Sequence, residues 1–234
     1  MMYEWKAAHI RYMRDASDYG DYHRRLAEKL LPHLPQGGHI CDAGCGLGDL
    51  TLALSPYFRQ ITACDVSADA LQELRRRVKQ ERIRLLCGDV RENPPQTPYD
   101  GMVFCLFGSP ETVLQVASAQ CRGTVCVICR EQRARHFSVD EQAMHSDDPD
   151  RWVRLLDRAG VPFYQERFSL SFGQPFRSRE DAIHFFALYN QEEKMPEWEC
   201  VAARIEATGR EDFPFYAPQE KALRLLCFDS RDLK

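Results

Sequence analysis

Apolar residues recur along the chain in two rhythms that alternate. Short continuous apolar runs of strand type occur at His39–Ala43, Gln60–Cys64, Ile83–Cys87, Gly101–Phe107, Thr124–Cys129, Phe163–Phe172 and Ala222–Phe228. Between them lie stretches with the spacing of a helix. The first 34 residues read as amphipathic helix broken near Asp18–Asp21, with Leu26, Leu30 and Leu34 making one core-facing stripe. Asp49–Phe58 and Ala68–Gln80 read as helices, the second capped by Ser67. Ser109-Pro110-Glu111 opens a further helix to about Cys121, combining a hydroxyl cap, a proline in the first turn and an acid. A helix starting at Asp148-Pro149-Asp150 ends at Gly160, and Ser178 caps a helix over Arg179–Asn190. Trp198, Val201, Ala202 and Ile205 form one more helical stripe, ending near Gly209.

Strands alternating with helices predict a doubly wound α/β fold with a mostly parallel sheet of seven strands. The last strand is expected antiparallel beside the sixth. No internal repeat or domain boundary is visible. The chain reads as a single domain over 1–234, with an N-terminal helical cap (1–34) and a C-terminal helical insertion (173–209) before the last strand.

Composition narrows the function. With 44% apolar and 28% charged residues, the chain is globular. A net charge of −4 gives no basic stripe for a phosphate backbone and argues against nucleic acid as a main partner. No apolar run approaches the ~18 residues of a membrane span, and the N-terminus has no apolar leader, so a cytosolic location is expected. Most of the ten cysteines fall in apolar runs (Cys41, Cys64, Cys87, Cys105, Cys126, Cys129) and read as free, buried thiols. The Cys126–Cys129 pair lies within one strand, where positions i and i+3 face opposite ways, so it reads as core rather than as a redox or metal pair.

The densest chemical signal is Asp42-Ala43-Gly44-Cys45-Gly46-Leu47-Gly48-Asp49, where a strand meets a helix through a glycine loop. Such a loop lets a ligand approach the backbone, and the helix start offers free N–H groups. A dinucleotide fingerprint wants G-x-G-x-x-G; here the third glycine comes one residue early, and Asp49 would place a carboxylate against a pyrophosphate. Asp65 lies 21 residues after Gly44 at the end of the second strand, where an acid can accept hydrogen bonds from two ribose hydroxyls. Asp89, in Gly88-Asp89-Val90, ends the third strand and can accept from an exocyclic amine. Tyr99–Phe107 ends in the same cleft. Taken singly, Asp65 and Asp89 could be ordinary loop-end aspartates.

The glycine loop, Asp65 and Gly88-Asp89-Val90 together resemble the class I S-adenosylmethionine-dependent methyltransferases of the bacterial small-molecule type, over roughly residues 20–234. The resemblance implies a Rossmann-like methyltransferase fold, with S-adenosylmethionine as methyl donor and S-adenosylhomocysteine as product. It places Gly44, Cys45, Gly46 and Gly48 against the methionine portion, Asp65 and Val66 at the ribose, Asp89 and Val90 at the adenine, and Cys105 and Leu106 on the far side. Asp42 is expected either to border the cofactor or to satisfy N–H groups of the loop.

Methyl transfer from a sulfonium needs alignment more than covalent catalysis, and a base only where the acceptor must lose a proton early. No catalytic residue is assigned. Phe107-Gly108-Ser109-Pro110 does not match the Asn/Asp-Pro-Pro-aromatic motif of DNA amino-group methylators, and no acidic cluster has metal-ligand spacing. His136 and His145 lie near where an acceptor would sit. The runs Arg75–Lys79 and Arg130, Arg133, Arg135 read as solvated faces. The aromatics Tyr3, Trp5, Tyr12, Tyr19 and Tyr22 would form either a lid or packing for the added helices, and Phe185, Phe186, Tyr189 and Trp198 would wall the cleft or pack as helix core. A small-molecule acceptor is expected. The alternatives are an NAD(P)-dependent oxidoreductase and a non-catalytic module with the same fold.

Overall fold

A computed structural model describes residues 5–131, 148, 150–189 and 195–233. Its centre is a seven-stranded sheet in the order β3-β2-β1-β4-β5-β10-β6. The strands are β1 (His39–Ala43), β2 (Gln60–Asp65), β3 (Ile83–Cys87), β4 (Tyr99–Cys105), β5 (Cys121–Arg130), β6 (Phe163–Ser171) and β10 (Glu220–Asp229). The chain winds outward from β1 to β3, returns to place β4 on the other side of β1, and continues to β5. All of these neighbours pair in parallel. β10 is antiparallel to β6, as expected, and is inserted between β6 and β5, to which it is also antiparallel.

The central strands are continuous apolar runs because helices cover both faces. In β5, Val125 through Ile128 are all buried. One face holds α2 (Tyr22–Leu30) and α3 (Asp49–Leu54), whose Leu26, Leu30 and Leu54 pack with Ile40, Val103 and Leu225. The other holds α5 (Pro110–Gln120) and α6 (Asp150–Ala159), whose Val113, Val116, Trp152 and Leu156 pack on Met102, Phe104 and Val127. The predicted caps form: Ser67 accepts from the Ala70 N–H at 3.2 Å, opening α4 (Ala68–Arg77), and Ser109 accepts from that of Thr112 at 3.3 Å.

Two helices are shorter than the pattern suggests. α3 stops at Leu54 and gives way to a 3₁₀ turn, Ser55–Tyr57, because Pro56 supplies no N–H to continue it. α4 stops at Arg77; Val78 turns extended and packs against Leu71, Leu74 and Ile83.

The insertion is not purely helical. Besides α7 (Arg179–Tyr189) and α8 (Trp198–Ala202) it contains β7 (Gln174–Phe176) and β8 (Glu206–Ala207), which join β9 (Phe215–Ala217) in a small antiparallel sheet ordered β7-β9-β8. Strands of two or three residues are too short to show a period. Phe176, Phe185, Phe186 and Val201 form a separate core there, and Tyr12 of α1 (Ala7–Tyr19) packs edge-on to Phe185 at 4.9 Å. Phe185 and Phe186 are thus helix core rather than cleft wall. Among the described residues no helix is long and apolar enough to cross a membrane.

Candidate functional site

Sheet order reverses between β1 and β4, and in open α/β sheets the crevice beyond such a switch point is where ligands bind. The loop after β1 fills that crevice. Gly44 and Cys45 donate to the Cys64 carbonyl of β2 at 2.8 and 3.1 Å, and Gly48 donates back to Cys45 at 2.9 Å. Gly44, Gly46 and Gly48 all have positive φ (+74°, +54°, +77°), a region that side chains other than glycine rarely adopt. Their surroundings differ. A Cβ on Gly44 would stand 2.2 Å from the Phe107 ring, and one on Gly48 2.4 Å from Leu74, so these two allow packing. A Cβ on Gly46 would point to the Trp5 ring at 3.2 Å. Gly46 is the bare backbone that faces the cavity.

That cavity measures about 190 Å³. Its boundary brings together seven of the residues expected at the cofactor: Asp42, Gly44, Cys45, Gly46, Gly48, Cys105 and Leu106. Leu106 holds φ +55°, the only positive value outside glycine among the described residues, and is tied through its N–H to the Ile128 carbonyl at 2.8 Å. Strain of this kind gathers at ligand sites. A second cavity, about 330 Å³, opens on the other side of Leu106 between Phe107, Ser109, Arg130 and Trp152.

Asp65, Val66, Asp89 and Val90 stand outside the first cavity, at the ends of β2 and β3. The Asp65 carboxylate accepts from the Gly46 and Ser67 N–H groups, both at 2.8 Å, and so locks the glycine loop to β2 while leaving further lone pairs open. Val66 is exposed. Asp89 accepts a fork from Arg91, with contacts from 2.5 to 3.0 Å, which holds its carboxyl below the ordinary range. Val90 is buried, and its carbonyl takes the Gln120 amide at 2.6 Å.

Asp42 does not reach the loop N–H groups; its one described partner is the Thr51 hydroxyl, which donates to it at 2.5 Å. Burial pushes its carboxyl up to about 6, despite that hydrogen bond and with Asp65 adding repulsion. Between the ordinary aspartate value near 3.9 and about 6, the folded protein therefore holds a proton that the unfolded chain releases, and stability falls as pH rises through that window. Asp42→Asn keeps an acceptor for Thr51 without the charge. It should match the parent near pH 4 and exceed it by roughly 2 kcal/mol at pH 7.5 in urea titrations. An equal difference at both values would show that Asp42 is charged at neither or at both.

Beside Tyr22, one of the aromatics considered for a lid, the cavity is lined by His23, Phe172 and Lys221, which sequence reasoning missed; single residues flanking strand and helix ends carry no periodic signal. That reasoning also misread Asp49. That carboxylate is met by Arg14 at 2.8 Å and Arg77 at 2.5 Å, so it presents little negative field to a ligand. The case against a dinucleotide then rests on glycine spacing. Arg77 accordingly turns inward, donating also to the Leu47 carbonyl at 3.0 Å, rather than lying on a solvated face. The N-terminal aromatics divide: Trp5 and Tyr22 line the cavity, while Tyr12 is core and Tyr19 stacks on Tyr216 at 5.0 Å. Tyr3, Arg133, Arg135, His136, His145 and the side chain of Tyr189 lie outside the described residues. Cys126 meets Cys227 at 3.4 Å rather than Cys129, and all ten cysteines are free; Cys87, expected buried, is exposed because it ends its strand.

Residues 40–124 match a family described as "Methyltransferase domain". Over 181 residues the chain is 31% identical to the malonyl-[acyl-carrier protein] O-methyltransferase of Priestia megaterium, covering 65% of this chain and 66% of that protein. The match thus spans just under two thirds of that relative's length. The backbone is similar to that of precorrin-6y C5,15-methyltransferase from Geobacter metallireducens (TM-score 0.52, 11% identity, 88% of this chain and 87% of that one). It is also similar to coclaurine N-methyltransferase bound to N-methylheliamine and SAH (TM-score 0.51, 16% identity, 88% and 71%). At these identities the structural likeness is one of fold alone.

Proposed function

We propose, on the footing that the chain belongs to the class I S-adenosylmethionine-dependent methyltransferases, that it binds S-adenosylmethionine and methylates a small molecule. The observation that carries the reading is the cavity beneath Trp5, where the bare backbone of Gly46 meets the carboxyl end of β4. The glycine loop would hold the methionine portion of the cofactor. Asp65 would take the ribose hydroxyls with the lone pairs its two backbone N–H partners leave, and Asp89 would serve the adenine by sharing its carboxylate with Arg91. S-adenosylmethionine supplies a methyl carbon made electrophilic by its sulfonium, with a neutral thioether as leaving group. The protein then has to align the acceptor and exclude water. Trp5 lies over the glycine loop, its ring 3.2 Å from where a Cβ on Gly46 would stand, and would help exclude water.

Three facts support a small acceptor. The net charge of −4 does not favour a polyanion. The cavity is walled on both sides, by the loop and by Tyr22 and Phe172, which suits a metabolite or a flexible arm better than a folded surface. The Priestia megaterium relative is named a malonyl-[acyl-carrier protein] O-methyltransferase. Incubating the protein and methyl-labelled S-adenosylmethionine with whole-cell metabolites, total RNA and protein separately should place the label in the metabolite fraction. Label confined to RNA or protein would overturn the small-molecule reading. Binding of S-adenosylhomocysteine with no label in any fraction would favour a non-catalytic module, and binding of NADH instead would favour the oxidoreductase.

A further inference from the structure

The wall of the cavity opposite the glycine loop has chemistry of its own. Lys221 stands at the start of β10. Because β10 runs antiparallel to β5, with Leu223 opposite Arg130, this end of β10 meets the carboxyl ends of β4 and β5. The Lys221 ammonium lies 4.0 Å from the centre of the Phe172 ring and 5.1 Å from that of Tyr22, and among the described residues it has no ion pair. The Tyr22 hydroxyl is buried and, among the described residues, without a hydrogen-bond partner.

A half-buried cation beside a buried unused donor is costly unless something answers both. The groups around them do not. His23 from α2 is held neutral by burial, which pulls it down to about 4. Cys105 from β4 is kept a thiol, pushed up to about 12 by burial. Burial, with Arg130 from β5 as a further cation, draws Lys221 down to about 8. The carboxylates that border the cavity are engaged elsewhere, Asp42 by Thr51 and Asp49 by Arg14 and Arg77. What is absent is an anion with two oxygens, one for the ammonium and one for the phenol.

We propose that Lys221 and Tyr22 hold a carboxylate of the methyl acceptor, so that the substrate is a small carboxylic acid or a molecule ending in one. The inference rests on the methyltransferase reading and names its substrate class. The cofactor's own carboxylate is the rival occupant, since the glycine loop and Cys105 and Leu106 at the end of β4 border the same cavity as Lys221; the affinity of Lys221→Met for S-adenosylhomocysteine separates the two. In the wall of this cavity a phosphate would meet one ammonium, one hydroxyl and the apolar side chains of Phe172 and Met13, for Arg130 lines the neighbouring cavity.

The test uses the full chain saturated with S-adenosylhomocysteine and titrated with hexanoate or hexanamide, followed by ligand-observed NMR. Hexanoate should bind at least tenfold more tightly. Lys221→Met should reduce that preference below twofold, and Tyr22→Phe, which removes one oxygen and leaves the ring packing, should weaken hexanoate several-fold. Affinity for S-adenosylhomocysteine, measured by calorimetry, should stay within twofold in both variants. Equal binding of acid and amide by the parent protein, or an unchanged preference in Lys221→Met, would overturn the proposal. So would a large loss of S-adenosylhomocysteine affinity in Lys221→Met, since the lysine would then hold the cofactor. A parent protein that fails to bind S-adenosylhomocysteine sinks the methyltransferase reading itself, and the acceptor site with it.

Discussion

Gly46→Val should lower the affinity for S-adenosylhomocysteine at least a hundredfold while the protein stays folded. Gly46 holds φ +54°, where a β-branched residue costs about 1–3 kcal/mol of local strain. Its new side chain would start 3.2 Å from the Trp5 ring and occupy the space through which a ligand approaches the loop. A hundredfold loss corresponds to about 2.7 kcal/mol, within reach of strain and obstruction together. The substitution faces the cavity and not the sheet, so far-UV circular dichroism should match the parent and the melting temperature should fall by only a few degrees. Near-normal binding in calorimetry would show that the ligand does not approach this loop.

Glu131→Ala should be among the most destabilising single changes in the protein, at about 3 kcal/mol. Arg224 of β10 is almost wholly buried, with a side chain 1% exposed. Glu131 accepts from its Nε and Nη2 at 2.6 and 2.7 Å, and Asp150 adds a contact at 3.0 Å. Removing one partner of a buried pair leaves an uncompensated charge, worth about 3–5 kcal/mol. The remaining Asp150 and the partial exposure of Glu131 place this case at the lower end. Arg224→Met replaces the cation by apolar volume and should cost less than Glu131→Ala. The Arg224 hydrogen bonds hold the Glu131 carboxyl below its ordinary value. The pair's contribution is therefore fully present above the unfolded carboxylate value near 4.3 and is lost as pH falls through the lower folded value. Denaturant titrations at pH 7 and pH 3 should show the penalty of Glu131→Ala shrinking in acid. A larger loss in Arg224→Met than in Glu131→Ala would refute this account.

The fold was legible because its signals are periodic or positional. Buried strands covered on both faces read as unbroken apolar runs, and hydroxyl caps at Ser67 and Ser109 mark helix starts whatever surrounds them. The glycine loop was legible for the same reason, since Gly44, Gly46 and Gly48 sit at fixed offsets from the end of β1. The small sheet β7-β9-β8 was not, because strands of two or three residues owe their existence to tertiary pairing. Nor was the division of the N-terminal aromatics: Tyr12 and Trp5 look alike in sequence, yet one packs on Phe185 and the other lies over Gly46. Asp49 and Arg77 were misread because each was taken alone; 28 positions apart in sequence, they form one ion pair. Lys221 carried no signal, since a lysine beside an apolar run is most often a strand end in solvent.

The central place of β10 sets a timetable for assembly. β5 pairs with β4 along one edge, but its other edge, and β6 as a whole, join the sheet only through β10, a strand that follows β5 by roughly 90 residues. At synthesis rates of about 5–20 residues per second, β5 waits some 5–18 s with one edge unpaired. That edge carries Val125-Cys126-Val127-Ile128, a segment prone to pair with any strand that offers itself. The nascent chain is thus at its stickiest after the half that carries the glycine loop has formed and before the last strand arrives, and a chaperone would have its longest hold on the molecule in that interval.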